Sequence, residues 1–112
     1  MKTSPTQRSL KHLRTQGYAC GIVEHWNPFA KIRQDLFKWI DIVAVTGLRE
    51  TGIIGVQTTT LPNVGARLQK AKGNAALSLW LRSGGQLHLH GWAKKKGHWV
   101  VSVRPLRLED VE

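Results

Sequence analysis

Phe37-Lys38-Trp39-Ile40-Asp41-Ile42-Val43-Ala44-Val45 is an apolar run rich in aromatic and β-branched residues, with one carboxylate at its centre. Its composition predicts a strand over residues 37–45. Thr46 to Gly52, bounded by Gly47 and Gly52, predicts a turn. Ile53-Ile54-Gly55-Val56-Gln57-Thr58-Thr59 then predicts the returning strand. A turn over residues 47–51 sets Asp41 opposite Gln57, with Cβ atoms roughly 5 Å apart. The two-residue strand period turns Thr59 to the same side as Gln57. Between Ile40 and Ile42, a carboxylate is costly to bury unless it is paired or bound to a metal.

Upstream, Tyr18 to Glu24 predicts a mostly buried strand that delivers Glu24 to the same edge, and His25-Trp26-Asn27-Pro28 breaks it. Phe29 to Leu36 is polar and basic and predicts a loop with room for one helical turn. Ser4-Pro5 is an N-cap followed by proline at the first helical position, which predicts a helix to Gln16, stopped by Gly17. Downstream of Pro62-Asn63, the residues Val64, Leu68, Ala71 and Ala75 recur at helical spacing, and Gly73-Asn74 kinks or splits that helix. Ala75 to Leu81 packs on the sheet, and Gly84-Gly85 ends the helix. Gln86 to Trp92 and His98 to Val103 predict two last strands around the basic turn Ala93 to Gly97. Pro105 ends regular pairing or marks an edge. The expectation is a single α/β (α+β) domain over residues 1–112, a mixed sheet with helices on both faces in the order α-β-β-β-α(α)-β-β.

Charge points to the partner. Seventeen Lys and Arg against seven Asp and Glu give the 112-residue chain a formal charge of +10. Such a field draws polyanions, of which nucleic acid is the commonest. Three acids, Glu109, Asp110 and Glu112, lie at the C-terminal end, leaving Glu24, Asp35, Asp41 and Glu50 for the rest. A carboxylate facing phosphate is repelled unless a cation stands between them, so each of these four needs a reason. Cys20 is the only cysteine, which excludes an intrachain disulfide. No apolar run reaches membrane-span length. The polar start, Met1 to Pro5, lacks the apolar region of a signal peptide. A cytoplasmic protein is expected. The glycines form no nucleotide-binding loop, and no Ser/His/Asp set has a nucleophile spacing.

Trp39-Ile40-Asp41-Ile42-Val43 followed by Val56-Gln57-Thr58-Thr59 resembles the paired strands of the PD-(D/E)xK, or restriction-endonuclease-like, nucleases. In those proteins an α-β-β-β-α-β core carries an Asp on one strand and an acid-x-Lys triplet on the next. The segment from Asn63 through Gly84-Gly85 and into the following strand is similar to the resolvase-like and virus-type replication-repair branches. The resemblance covers nearly the whole chain. It implies a restriction-endonuclease-like core and Mg²⁺- or Mn²⁺-dependent hydrolysis of DNA, including branched DNA such as Holliday junctions, in recombination or repair. It further implies a metal held by Asp41 with Glu24 and Gln57. The chain departs from the pattern twice. Gln57 stands where the family has an acid, and Thr59 where it has lysine. The role of that lysine, orienting the attacking water, then falls to the Thr59 hydroxyl or to Lys70 or Lys72 on the following helix. Arg33, Arg67, Lys70, Lys72, Lys94, Lys95 and Lys96 are the expected phosphate contacts. At this size a homodimer is expected, since two-fold symmetry presents two sites to two strands.

Simpler readings compete. Asp41 can be a strand carboxylate paired with Arg33 or Arg67, and Asp35 a loop partner of Lys31 or Arg33. His88 and His90 share a strand face, but no further ligand stands at metal spacing, which favours an ordinary strand pair. Trp92 and Trp99 beside Lys94 to Lys96 fit either a stacking surface or a core with a solvated turn. Trp39 and Trp80 are expected in the core, and Trp26 partly exposed. A catalytically degenerate nucleic-acid-binding module and a basic protein-interaction subunit are the alternative functions. They separate from a nuclease on metal and salt dependence.

Overall fold

A computed structural model describes residues 3–112. The first helix, α1 (Pro5–Thr15), is capped by Ser4, whose Oγ accepts the Gln7 N–H at 3.2 Å. It is followed by β1 (Ala19–Ile22), β2 (His25–Asn27), β3 (Ile32–Gln34), β4 (Ile42–Val45) and β5 (Ile53–Thr60). A 3-10 turn (Leu61–Asn63) leads into α2 (Val64–Ala71) and α3 (Ala75–Arg82), then β6 (Gln86–Lys95), β7 (His98–Pro105) and a short α4 (Leu108–Val111). Five strands form one mixed sheet in the order β1-β4-β5-β6-β7, and β2 and β3 form a separate hairpin. The pairs are antiparallel except β5 with β6, which run parallel. That is the pair joined by the α2–α3 crossover, as parallel neighbours require. No helix among the described residues is long and apolar enough to cross a membrane.

The expected α/β class, with helices on both faces, is what the chain adopts. On one face Leu10 and Leu13 of α1 pack on Ile42, Ala44, Ile54 and Val56. On the other, Ala71 and Leu77 of α2 and α3 pack with Trp39, Ile40, Leu87, Leu89, Leu106 and Val111. The strict strand alternation of β4 and β5 divides their side chains between these two cores.

Several local expectations are corrected. The strand expected over Phe37–Val45 begins only at Ile42. Phe37 and Lys38 have φ of 54° and 63°, and the Trp39 N–H donates to the Leu36 carbonyl, so this stretch is a tight turn. The turn places two consecutive side chains, Trp39 and Ile40, in the core, which a pleated strand cannot do. Residues 29–36, expected as a loop, supply β3 and the hairpin turn. β1 is shorter than expected and largely exposed, because it lies at the sheet edge. Gly73 (φ 74°) and Asn74 split the predicted helix, and the Asn74 side chain caps α3 by accepting the Leu77 N–H. The single turn of α4 has no counterpart in the expected element order.

Candidate metal centre

β4 begins at Ile42, opposite Val56, while β5 continues past that level to Thr60, so β5 outruns its partner. The ladder pairs Ile42 with Val56, and one step further the register sets Asp41 against Gln57, as expected from the hairpin turn. Side chains take over where the backbone ladder ends. The Asp41 carboxylate accepts the Thr58 N–H at 2.9 Å, and the Gln57 amide donates to the Trp39 carbonyl. These bonds satisfy buried backbone groups that would otherwise lack partners.

Two further carboxylates reach the same place. The Val23 N–H donates to the Asp41 carbonyl at 2.9 Å, which brings the next residue, Glu24, alongside. Asp35 arrives from the chain just after β3. One carboxylate oxygen from each of Glu24, Asp35 and Asp41 lies within 4.8 Å of the other two. Asp35 was expected to pair with Lys31 or Arg33 in a loop; instead it joins the acidic cluster and faces Lys70 at 3.9 Å. Arg33 pairs with Glu24 at 3.6 Å rather than with Asp41. The signal that would have found Asp35 is the scarcity of acids: it is one of only four before the C-terminal end.

The crowding has an electrostatic cost. Asp41 is 5 % exposed. Burial pushes its carboxyl up to about 8, Asp35 and Glu24 add to the rise, and the Thr58 N–H opposes it. Burial and Asp35 also raise Glu24, against the pull of Arg33. Like charges this close favour retention of a proton unless a cation replaces it. The donor set fits a hard divalent ion: it is all oxygen, it comes from separate segments, and it leaves positions for water. Asp35 also lines a groove of about 580 Å³ shared with Arg33, Lys38 and Lys70, so the cluster borders an open, cationic surface.

The remaining sequence-selected residues fall in different places. Gln57 is buried, its amide nitrogen held by the Trp39 carbonyl. Thr59 is buried on β5 opposite Gly91. Lys70 stands at the cluster, whereas Lys72 donates to the Glu109 carbonyl at 3.2 Å. The Arg67 carbonyl accepts the Trp39 indole N–H at 3.0 Å. Lys94, Lys95 and Lys96 are exposed where β6 turns into β7. The strand directions put that turn at the same end of the sheet as the acids, two strands away. Trp39 is buried, Trp80 packs against the core, Trp92 is buried, and Trp26 and Trp99 are exposed.

His90 lies on the α1 face, away from the acids. Its Nδ1 is 2.9 Å from the buried Ser9 hydroxyl, which also bonds Thr58 and accepts the Trp92 indole N–H. Burial, with help from His12 and His88, pushes the His90 ring down to about 4. It is a neutral core histidine, and His88 bonds the Gln86 side chain instead. No family model, no curated protein and no solved structure matches this chain.

Proposed function

We propose that this protein is a metal-dependent DNA endonuclease that hydrolyses phosphodiester bonds at the Glu24–Asp35–Asp41 cluster, with Mg²⁺ or Mn²⁺ as its ion. The observation that carries the reading is the convergence of three of the chain's seven carboxylates, from three segments, within 4.8 Å in a protein of charge +10. The order of helix, antiparallel strands, helical crossover and parallel strand supports the PD-(D/E)xK resemblance. So does the position of Asp41 at the end of β4 against Gln57.

A bound divalent cation would supply charge neutralisation at the phosphate and a more acidic water. Asp41, oriented by the Thr58 N–H, is the central ligand, and Glu24 is the second. Asp35 is added to the ligand set, and Gln57, whose amide nitrogen is held by the Trp39 carbonyl, keeps its amide oxygen as a further donor. Lys70 presents the positive charge that Thr59 cannot supply, from α2 rather than from β5. Arg33 and Lys38 hold phosphate along the groove, and Lys94 to Lys96 hold it further along the sheet end. Two copies about a two-fold axis would act on the two strands of a duplex, with the cytoplasm as the compartment.

Cleavage of labelled four-way-junction and linear duplex DNA in Mg²⁺, Mn²⁺ or EDTA tests the reading. Metal-dependent cutting is expected, abolished in Asp41→Asn and reduced about 100-fold or more in Lys70→Met. Asn keeps an oxygen for the Thr58 N–H, so the fold survives the change. Salt-sensitive binding without cutting in any metal would establish the alternative, a non-catalytic nucleic-acid-binding module on this scaffold.

A further inference from the structure

The β2–β3 hairpin stands outside the five-stranded sheet and contributes no residue to either buried core. Its three residue pairs, His25 with Gln34, Trp26 with Arg33 and Asn27 with Ile32, are exposed at every position but Asn27, which is half-buried. A two-stranded ribbon of this kind is marginal on its own. Its tip is nevertheless built to a definite shape. The Asn27 Oδ1 accepts the Phe29 and Ala30 N–H groups at 3.0 and 3.1 Å, and Lys31 closes the turn at φ 55°. That shape presents a phenylalanine that is 97 % exposed and a tryptophan that is 55 % exposed. Neither aromatic belongs to a buried core, and burial in this chain does not account for the Phe29 ring or for the exposed half of Trp26.

The hairpin is tied to the acidic cluster at its base. Arg33 ion-pairs with Glu24 at 3.6 Å, and Arg33 and Trp26 are cross-strand partners whose side chains share a face. Lys31 lies beside the tip and Lys38 and Lys70 across the adjoining groove. Exposed aromatic side chains interleaved with cations are what an unstacked nucleic-acid base and its phosphate require. A fully exposed apolar tip on a basic ribbon is also the form of a wedge that enters a base step.

We infer that the β2–β3 hairpin is a base-reading arm: Phe29 and Trp26 stack on unpaired bases next to the phosphodiester held at the acidic cluster. DNA with a gap, bulge or junction is therefore favoured over continuous duplex. This rests on the nucleic-acid-binding reading above. It deepens that reading by naming the substrate class.

The test uses two probes of equal length, a continuous duplex and a duplex with a three-nucleotide gap containing 2-aminopurine. Both are titrated with the full chain in Ca²⁺ and followed by anisotropy and 2-aminopurine fluorescence. The wild type is expected to prefer the gapped probe roughly tenfold and to change the 2-aminopurine signal. Phe29→Ala is expected to bring the preference close to one and to lose the signal change, and Phe29→Trp to restore both. Equal binding of the two probes by wild type, or a preference unchanged in Phe29→Ala, would overturn the arm while leaving the nuclease reading intact. No binding to either probe would overturn both. A wild-type dimer that Phe29→Ala converts to monomer in sedimentation velocity would assign the tip to a second copy of the chain and overturn the inference.

Discussion

Asp41 carries two duties that pull in opposite directions. Its carboxylate oxygen stands in for a missing strand partner of Thr58, yet its burial beside Asp35 and Glu24 makes the charge costly. In the unfolded chain an Asp titrates near ~4, and in the fold Asp41 holds its proton up to about 8. The folded state therefore binds the extra proton between these values, and stability falls as pH rises through that window. His90 acts with the opposite sign. It titrates near ~6.5 unfolded and about 4 folded, so its contribution is lost as pH falls from ~6.5 to about 4. The two oppose each other below ~6.5, and above it only the carboxyl effect remains. In EDTA the thermal midpoint is expected to fall between pH 6.5 and 8, and Asp41→Asn should flatten that slope. An unchanged slope in the variant would place the effect elsewhere. The weight on Asp41 was legible from one residue in its context, a carboxylate between two isoleucines. Asp35 was not legible, because its position depends on how the hairpin before it folds back.

The elements explain where pattern reading succeeded and where it failed. β5 and the Gln86–Trp92 part of β6 follow from composition and turn residues alone, but β6 runs on to Lys95, taking Ala93, Lys94 and Lys95 out of the turn expected over Ala93–Gly97 because they pair with β7. The 37–45 run misled because Phe37, Trp39 and Ile40 of the turn are as compatible with strand composition as Ile42 and Val43 are. Only the tertiary demand to bury Trp39 and Ile40 together selects the turn. The β2–β3 hairpin has no apolar alternation to reveal it, since nothing in it faces a core. Elements approach closely at Gly91 of β6, where the 3-10 turn and α2 descend on the sheet. A Cβ there would meet Val64 Cγ2 at 2.6 Å and the Leu61 Cα at 3.4 Å. Val64 is stiff at its branch and Leu61 offers backbone, so neither yields easily. Gly91→Ala is expected to lose about 1–3 kcal/mol in urea unfolding. It should also weaken function, because α2 carries Lys70. A neutral substitution would mean that α2 rides on the sheet more loosely than the packing indicates.

At the scale of the molecule, charge is arranged as well as abundant. The acids gather at one end of the sheet, with Arg33, Lys38 and Lys70 about them and the Lys94–Lys96 turn on the same end. That turn is fixed by two consecutive positive φ values, 50° at Lys96 and 79° at Gly97, and Lys94 and Lys95 precede it as the exposed last residues of β6. Replacing Lys94, Lys95 and Lys96 together by alanine is expected to weaken binding of all DNA sequences alike. The slope of log affinity against log salt should fall by about 2–3. An unaltered slope would put the phosphate path elsewhere. Net charge, the helical crossover and the approach of Glu24 to Asp41 were readable in the sequence, whereas the meeting of all three acids was not, because Asp35 arrives by tertiary contact. That meeting is also the claim most open to direct measurement. Titration of the metal-free protein with Mn²⁺, followed by the loss of free-ion paramagnetic resonance, should show one ion bound per chain and none in Asp41→Asn. Mn²⁺ binding that is absent from the wild type, or equal in the two proteins, would contradict the account.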